Sequence, residues 1–324
     1  MDQLPLTDLM LGRFGVGKAF KNNTKRITSI DFDFTGELCI TASEDDTMNL
    51  YDVRKGELKK TIFSKKYGCD LARFTHAPNT VLHSSTKEDD TIRYLSLHDN
   101  QYLRYFRGHK AKVISLDICP VDDRFISSSL DGTVRLWDMR SSTCHGCVYL
   151  SNKLQGPIIV AYDPTGVICA FGLSGSRVIL LYDSSNVSGG PFSTFTIQPA
   201  EHPRTYNWTS LKFSACGSYI LICTNGPEMG LVDAFTGKVW GWASGYENTD
   251  GLKLEGGFTN NNKYIYCGSQ DGKIHFWSVP TLQKVETLEG HSEPTQCVVF
   301  NPRHLLVASA DSQLAFWCPK RFDI

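Results

Sequence analysis

The stretch Asp131–Asp138, which reads Asp-Gly-Thr-Val-Arg-Leu-Trp-Asp, decides the fold of this chain because similar stretches recur along it. Asp45–Asp52 and Asp271–Ser278 match it without gaps, and Asp89–Ser96 and Asp311–Cys318 are weaker matches. A hydrophobic strand that ends close to an aromatic residue is therefore repeated at a regular interval. Such a repeat predicts one supersecondary unit used many times, with each unit burying its faces against its neighbours.

Seven copies of the repeat account for nearly the whole chain. Their anchor residues follow one another at intervals of 40 to 50 residues: Tyr51, Leu95, Trp137, Tyr182, Val232, Trp277 and Trp317. Periods of about 40–45 residues, each holding several short strands, are typical of β-propellers of the WD40 type. We therefore predict an all-β, seven-bladed WD40 β-propeller in which residues 1–324 form a single domain.

The last repeat unit lacks one strand, because few residues follow Trp317. Strand-like residues Val16, Ala19 and Phe20 precede the first complete unit. We expect residues 18–22 to supply the missing outer strand of the last blade, since this closes the ring and removes an exposed sheet edge. Residues 1–17 are expected to be a flexible extension.

The third unit contains the residue types of a structural hydrogen-bonded tetrad found in WD40 blades, His109, Ser127, Asp131 and Trp137. The bonds would satisfy polar groups that the blade interface otherwise buries without partners. The first three types also match a hydrolase triad. However, Ser or Thr and Asp recur at the same positions in the two preceding units, and catalytic groups are not normally repeated around a ring. We predict no catalytic residues.

Composition excludes several classes of function. The net charge is −1, from 33 basic and 34 acidic residues, so no overall field favours nucleic acid or anionic lipid. Apolar runs have strand length and cannot cross a bilayer, and no secretory signal is visible. Eleven cysteines, an odd number, indicate a reduced, intracellular protein. We expect no membrane association and no direct sequence-specific binding of nucleic acid.

Two short motifs resemble binding sites for a cofactor or metal. Residues 12–18 match the first seven positions of a phosphate-binding loop, but Ala19 lacks the hydroxyl that would hold magnesium. Cys144 and Cys147 have metal-ligand spacing, but the chain has no second such pair. We predict neither a cofactor nor a metal site, although a nucleotide-binding enzyme that uses Lys18 is a third hypothesis.

A basic, aromatic surface is predicted on one face of the ring. Residues 59–112 hold eleven basic and five acidic residues, and two of the basic clusters fall in loops between blades. Such a rim suits a phosphorylated or acidic peptide, although a solvated surface is the simpler interpretation. A further loop, residues 199–208, combines arginine with aromatic side chains, as protein interfaces do. The candidate partner-binding residues are Lys65, Lys66, Tyr67, Lys110, Lys112, Arg204 and Tyr206.

Arg54 and Arg140 complete two [Trp/Tyr]-Asp-X-Arg boxes. Similar boxes occur in propellers that dock on cullin-4 ubiquitin-ligase adaptors, so a substrate receptor of such a ligase is the second hypothesis. The pattern is common in ordinary WD40 repeats, where the arginine pairs with a neighbouring acid at the blade rim.

Stretches outside the general repeat pattern resemble one particular family. Ser64–Asp70, Arg73–Ala77, Asp89–Asn100, Gly190–Phe192 and Val232–Phe235 are similar to the WD40 subunit of COMPASS-type histone H3 lysine-4 methyltransferase complexes. The resemblance extends over residues 18–320. The longer N-terminus and the enlarged loop at residues 199–208 depart from the family pattern.

This resemblance implies a nuclear, non-catalytic scaffold. Its expected partners are subunits of a SET-domain methyltransferase complex and the phosphorylated tail of RNA polymerase II. The family also joins type-1 phosphatase scaffolds or cleavage-and-polyadenylation factors, which act in transcription termination and 3′-end processing.

Overall fold

The computed structural model describes residues 6–150, 156–198 and 206–320. A short helix and one strand precede the first blade: α1 (Asp8–Leu11) and β1 (Phe14–Phe20). Blade 1 contains β2 (Ile27–Phe32), β3 (Leu38–Ser43), β4 (Thr47–Asp52) and β5 (Glu57–Phe63). Blade 2 contains β6 (Asp70–Phe74), β7 (Thr80–Ser84), β8 (Ile92–Ser96) and β9 (Tyr102–Phe106). Blade 3 contains β10 (Val113–Ile118), β11 (Arg124–Ser129), β12 (Thr133–Asp138) and β13 (Cys144–Tyr149).

Blade 4 contains β14 (Ile158–Tyr162), β15 (Ile168–Leu173), β16 (Val178–Asp183) and β17 (Ser193–Thr196). Blade 5 contains β18 (Trp208–Phe213), β19 (Tyr219–Thr224), β20 (Glu228–Asp233) and β21 (Val239–Ser244). Blade 6 contains β22 (Gly256–Phe258), β23 (Tyr264–Gly268), β24 (Lys273–Ser278) and β25 (Lys284–Glu289). Blade 7 contains β26 (Cys297–Phe300), β27 (Val307–Ala310) and β28 (Leu314–Pro319). A 3₁₀-helix, Val187–Gly189, lies in blade 4.

These strands form seven antiparallel sheets of four strands each, so the predicted seven-bladed propeller is confirmed. The quoted stretch Asp131–Asp138 supplies the turn between β11 and β12 and the whole of β12. Gly132 has φ 78° at this turn, a left-handed conformation that glycine adopts without steric cost. The repeat motif therefore marks the third strand of each blade.

The hydrophobic core is divided among the interfaces between blades. Seven clusters of buried side chains each join two neighbouring blades. Four of the anchor residues, Tyr51, Trp137, Trp277 and Trp317, are among the largest fully buried side chains. Each blade is therefore stabilised by its neighbours, as the repeat predicts.

The ring is closed by β1, which pairs with β28 as the outer strand of blade 7. The strand begins at Phe14, whereas residues 18–22 were expected to form it. Residues 8–11, expected to be flexible, form α1, and Leu6, Leu11 and Phe14 are buried against blades 6 and 7. Apolar residues in a glycine-rich segment therefore have a packing role that composition alone conceals.

Hydrogen bonds from backbone N–H groups to side chains connect the innermost strands of neighbouring blades. Ser29 Oγ accepts from the backbone N–H of Ala72, and Asp31 Oδ2 accepts from that of Phe74. The same pattern joins blade 3 to blade 4, where Ser115 and Asp117 accept from Val160 and Tyr162. These bonds satisfy backbone groups that line the central channel. Within the described residues, no helix is long and apolar enough to cross a membrane.

Candidate functional site

The two faces of the ring follow from the strand order. Loops between blades and turns between the second and third strands lie on one face, which we call the upper face. The remaining turns lie on the opposite, lower face. Lys65 and Lys66 lie in the loop between β5 and β6, and Lys110 and Lys112 lie in the loop between β9 and β10. All four lysines are therefore on the upper face, and all are exposed.

The two basic loops are adjacent. Lys112 Nζ lies 3.8 Å from Asp70 Oδ2, and Asp70 begins the strand that follows the Lys65–Tyr67 loop. Gly68 ends this loop with φ 68°, and a Cβ atom there would lie 1.9 Å from Thr86 Oγ1. The loop conformation therefore requires glycine. It presents Lys65 and Lys66 to solvent, with the Lys66 ammonium 5.1 Å from the centre of the Tyr67 ring.

Tyr67 covers a buried arginine that the sequence patterns do not reveal. The guanidinium of Arg93 lies 3.6 Å from the centre of the Tyr67 ring, and Tyr102 and Tyr105 lie within 5.5 Å of it. Arg93 is 2% exposed. It donates to both carboxylate oxygens of Asp89 at 2.8 and 3.0 Å, and to Ser85 Oγ at 2.8 Å. Tyr67 thus belongs to a structural cluster as well as to the upper face.

The tetrad of blade 3 is a closed hydrogen-bond network. His109 Nε2 lies 2.8 Å from Ser127 Oγ, and His109 Nδ1 lies 3.2 Å from Asp131 Oδ2. Trp137 Nε1 donates to the same serine hydroxyl at 2.8 Å. Burial opposes protonation and lowers the pKa of His109, although Asp131 favours it. Because the serine lies between histidine and indole inside the blade, this geometry is that of a packing group.

Blade 7 repeats the network. His291 Nε2 lies 2.6 Å from Ser309 Oγ, and Trp317 Nε1 donates to that hydroxyl at 2.7 Å. His291 Nδ1 lies 3.3 Å from Asp311 Oδ2. Blade 2 has Arg93 and Tyr67 in place of such a histidine network.

The loop at residues 199–208 is described only in its last part. Arg204 lies outside the described residues. Tyr206 is half-buried, and its ring packs directly on the backbone of Gly226 in blade 5. Tyr206 also lines a small cleft with Arg177 and Trp242. The structure therefore places Tyr206 in blade 5, apart from the basic loops of blades 2 and 3.

Arg54 and Arg140 lie on the lower face, in turns between the third and fourth strands. Arg54 Nη2 lies 2.6 Å from Glu37 Oε1, and Arg140 Nη2 lies 2.7 Å from Asp138 Oδ2. Both guanidinium groups are thus paired within the rim while most of each side chain is exposed. This is the arrangement expected of ordinary repeats.

The two cofactor-like motifs lie in regular structure. The phosphate-loop-like segment contains the cap of α1 and the first half of β1, where Lys18 is exposed. A phosphate-binding loop instead runs from a buried strand into a helix. Cys144 and Cys147 lie on the outer strand β13. Among the described residues, no group of three or more His, Cys, Asp or Glu side chains could hold a metal ion.

Charged side chains line the central channel, and sequence reasoning missed them. A lower chamber of about 360 Å³ opens toward the turns at Pro120, Pro164 and Asn260. Its wall carries four carboxylates, Asp31, Asp117, Asp163 and Glu255, and two cations, Arg73 and Lys212. An upper chamber of about 530 Å³ opens on the upper face, and Glu255 lines both chambers. The Ser-X-Asp pattern, which occurs at Ser29 and again at Ser115, was a sequence signal that could have revealed the channel carboxylates Asp31 and Asp117.

Comparison with known proteins identifies the family. Residues 16–52, 100–138, 251–278 and 282–318 match the WD40 family described as WD domain, G-beta repeat. WD repeat-containing protein 82 of Drosophila melanogaster is 50% identical over 318 residues, which cover 98% of both chains. The chain belongs to the WD40 family of this protein. COMPASS component SWD2 of Saccharomyces cerevisiae belongs there too, with 36% identity over 303 residues and 90% of both chains.

Set1 complex component swd2 of Schizosaccharomyces pombe is 42% identical over 220 residues, 67% of this chain and 59% of the relative. The family predicted from the sequence is therefore confirmed. Blade 2 lies outside the matched WD40 segments in its first three strands. It is also the blade in which Arg93 and three tyrosines form their own cluster.

Proposed function

We propose that this chain is a non-catalytic WD40 subunit of a nuclear complex that methylates histone H3 at lysine 4. Its similarity over 90% of its length to a protein named COMPASS component SWD2 carries the proposal. The chain would act as an adaptor, because its polar clusters, such as His109–Ser127–Trp137, are used in packing. The isolated protein is then expected to have no methyltransferase activity.

The upper face is the proposed contact for the phosphorylated tail of RNA polymerase II. Lys65, Lys66 and Lys110 are exposed there, and no described acidic side chain is paired with them. Phosphate groups form strong charge-assisted hydrogen bonds with such cations. Tyr67 adds an aromatic surface beside Lys66. Type-1 phosphatase scaffolds and cleavage-and-polyadenylation factors are further proposed partners, which would place the protein in transcription termination.

Charge substitution on the upper face tests the proposal. The variant combines Lys65→Glu, Lys66→Glu, Lys110→Glu and Lys112→Gln; Lys112 is only neutralised because Asp70 lies 3.8 Å away. We expect about a tenfold or greater loss of affinity for a phosphorylated polymerase-tail peptide, since several charge-assisted contacts disappear. A matched control reverses the exposed lysines Lys55, Lys59 and Lys238 and neutralises Lys263, which gives the same change in net charge.

Mass spectrometry of material purified with the tagged wild-type protein tests the assembly. Recovery of a SET-domain methyltransferase supports the proposed complex, and recovery of phosphatase or cleavage factors identifies the termination branch. Absence of every one of these partners would contradict the proposed function. Unchanged peptide affinity in the four-lysine variant would contradict only the upper-face assignment.

A further inference from the structure

The central channel contains a buried carboxylate at the point where its two chambers meet. Glu255 immediately precedes the short strand β22, is 7% exposed and lines both chambers. Within the described residues, no hydrogen bond or ion pair within 4.0 Å is made by its carboxylate. Buried carboxylates are ordinarily paired or hydrogen-bonded because an isolated charge is costly to desolvate.

Six of the other seven charges of the upper chamber lie in three ion pairs. Arg26 pairs with Glu44, Lys87 pairs with Asp46, and Lys112 lies 3.8 Å from Asp70. The exposed Lys253 stands near the entrance. Among the described residues, Glu255 therefore lies in this chamber without an ion pair of its own, although its charge raises the pKa of the buried Arg73.

The lower chamber has an excess of negative charge. Asp31 and Asp117 each accept one backbone N–H, and Arg73 donates to the carbonyl of Ala72 at 2.9 Å. Burial raises the pKa of Asp31 to about 6, even though Arg73 opposes it, and burial also raises the pKa of Asp117. Arg73 and Lys212 thus leave the carboxylates of the chamber incompletely neutralised. An anion bound at Lys212 would face a wall that carries four carboxylates.

We infer that the channel binds a single organic cation, an ammonium or guanidinium group, with Glu255 as its counter-ion. The two chambers, about 530 and 360 Å³, have room for an extended alkyl chain that carries the charge inward. Apolar wall residues such as Ile30 and Val298 would contact that chain. The cation is either a free small amine or a lysine or arginine side chain of a partner.

Calorimetric titration of the purified chain tests this inference. The probes are n-butylammonium, n-butylguanidinium, a blocked peptide with one central arginine and the same peptide with lysine; n-butanol is the uncharged control. Saturable binding of any cation, with none of the alcohol, is expected at concentrations up to about 10 mM. Binding of small amines shows that a free cation suffices, whereas binding of peptides alone shows that the side chain of a partner is the ligand.

Glu255→Gln keeps the shape of the side chain and removes its charge. We expect it to weaken binding about 30-fold or more, as loss of one member of a buried charge pair does. Glu57→Gln on the exposed surface of β5 is the matched control and should leave affinity unchanged. Because Glu255→Gln could disturb the channel, the ¹³C signal of the Glu255 carboxylate is also followed in the wild-type protein. A saturable shift supports the inference.

No cation binding, or binding that Glu255→Gln leaves intact, would overturn the inference. So would a carboxylate signal that does not respond to a bound cation. The test needs no methyltransferase complex and no phosphorylated peptide, so its outcome is independent of the proposed function.

Discussion

The guanidinium carbon of Arg93 lies 3.6 Å from the centre of the Tyr67 ring, within a blade whose motif is a weaker match to the repeat. Tyr67 comes from the loop between blades 1 and 2, the kind of loop that carries His109 in the next blade. Blade 2 thus joins its loop to its third strand by stacking and an ion pair. Blades 3 and 7 achieve the same connection with a histidine network.

Replacing Arg93 should destabilise the ring. Arg93→Met leaves Asp89 and Ser85 without their donor, and we expect a loss of about 2–4 kcal/mol in the free energy of unfolding. Arg93→Lys should cost less but remain destabilising, because one ammonium nitrogen replaces two separate donors, the Nη2 that bonds Asp89 and the Nε that bonds Ser85. Urea unfolding measures both. The control is Arg107→Lys at an exposed arginine near Tyr105, and equal effects at both sites would refute the structural role of Arg93.

Replacing the tetrad serine should also destabilise the fold. Ser127→Ala leaves the indole N–H of Trp137 and a ring nitrogen of His109 without a partner inside the blade. We expect the free energy of unfolding to fall by about 1–3 kcal/mol. Ser309→Ala in blade 7 should behave alike because its contacts are equivalent. Thermal melting of both variants beside Ser188→Ala, an exposed control, measures the effect. If either tetrad variant melts at the same temperature as the wild-type protein, the serine does not stabilise its blade as described.

Removal of residues 1–22 should open the ring. The deletion takes away β1 and leaves β28 as an unpaired edge, and it removes buried Leu11, Phe14 and Phe20. The single substitution Phe20→Ala should already lower the free energy of unfolding by about 3–5 kcal/mol. Lys18→Ala, on the exposed side of the same strand, is the control. An unchanged melting temperature after the deletion would show that β1 contributes nothing to stability.

Asp31 should make stability depend on pH. Its pKa is raised by burial from 3.8 to about 6 in the folded protein, so the folded state binds more protons than the unfolded chain between these values. Its contribution to stability is therefore full below pH 3.8 and is lost as the pH rises through about 6. Asp31→Asn can still accept from Phe74 and does not titrate. Between pH 4 and pH 7 the free energy of unfolding of this variant should rise by about 1 kcal/mol relative to that of wild type, allowing for screening by channel water.

The comparison of the two proteins at each pH isolates Asp31 from other groups. His83, whose pKa burial lowers to about 4, titrates in the same range and is present in both. Unfolding curves at several pH values measure the difference. If that difference stays constant from pH 4 to pH 7, the carboxyl does not titrate as described.

Sequence predicted the fold well because the repeat records a local pattern. Alternating apolar residues and the Asp-Gly turn lie within one strand and its turn, so Asp131–Asp138 reveals its own structure. The tetrad was predictable for the same reason, since its spacing is fixed inside one blade. The bounds of β1 were not predictable, because this strand begins where Phe14 pairs with Pro319, a residue far away in the sequence.

The Arg93 cluster and the channel charges depend on contacts that spacing does not encode. Tyr67, Tyr102 and Arg93 are ordinary surface residue types until the loop and two strands bring them together. Asp31 and Glu255 lie in different blades and meet the channel only when the ring closes. Exposed lysines such as Lys65 were predictable because loops between repeats lie at the surface.

Ring closure also has a consequence for biosynthesis. The ribosome makes β1 among the first strands, yet the partner β28 emerges only after the other six blades have been synthesised. Until β28 emerges, the nascent chain therefore carries a strand with no partner, and its apolar residues Phe14 and Phe20 are open to wrong pairing. Protection of this segment by a chaperone would matter most before the last blade leaves the exit tunnel.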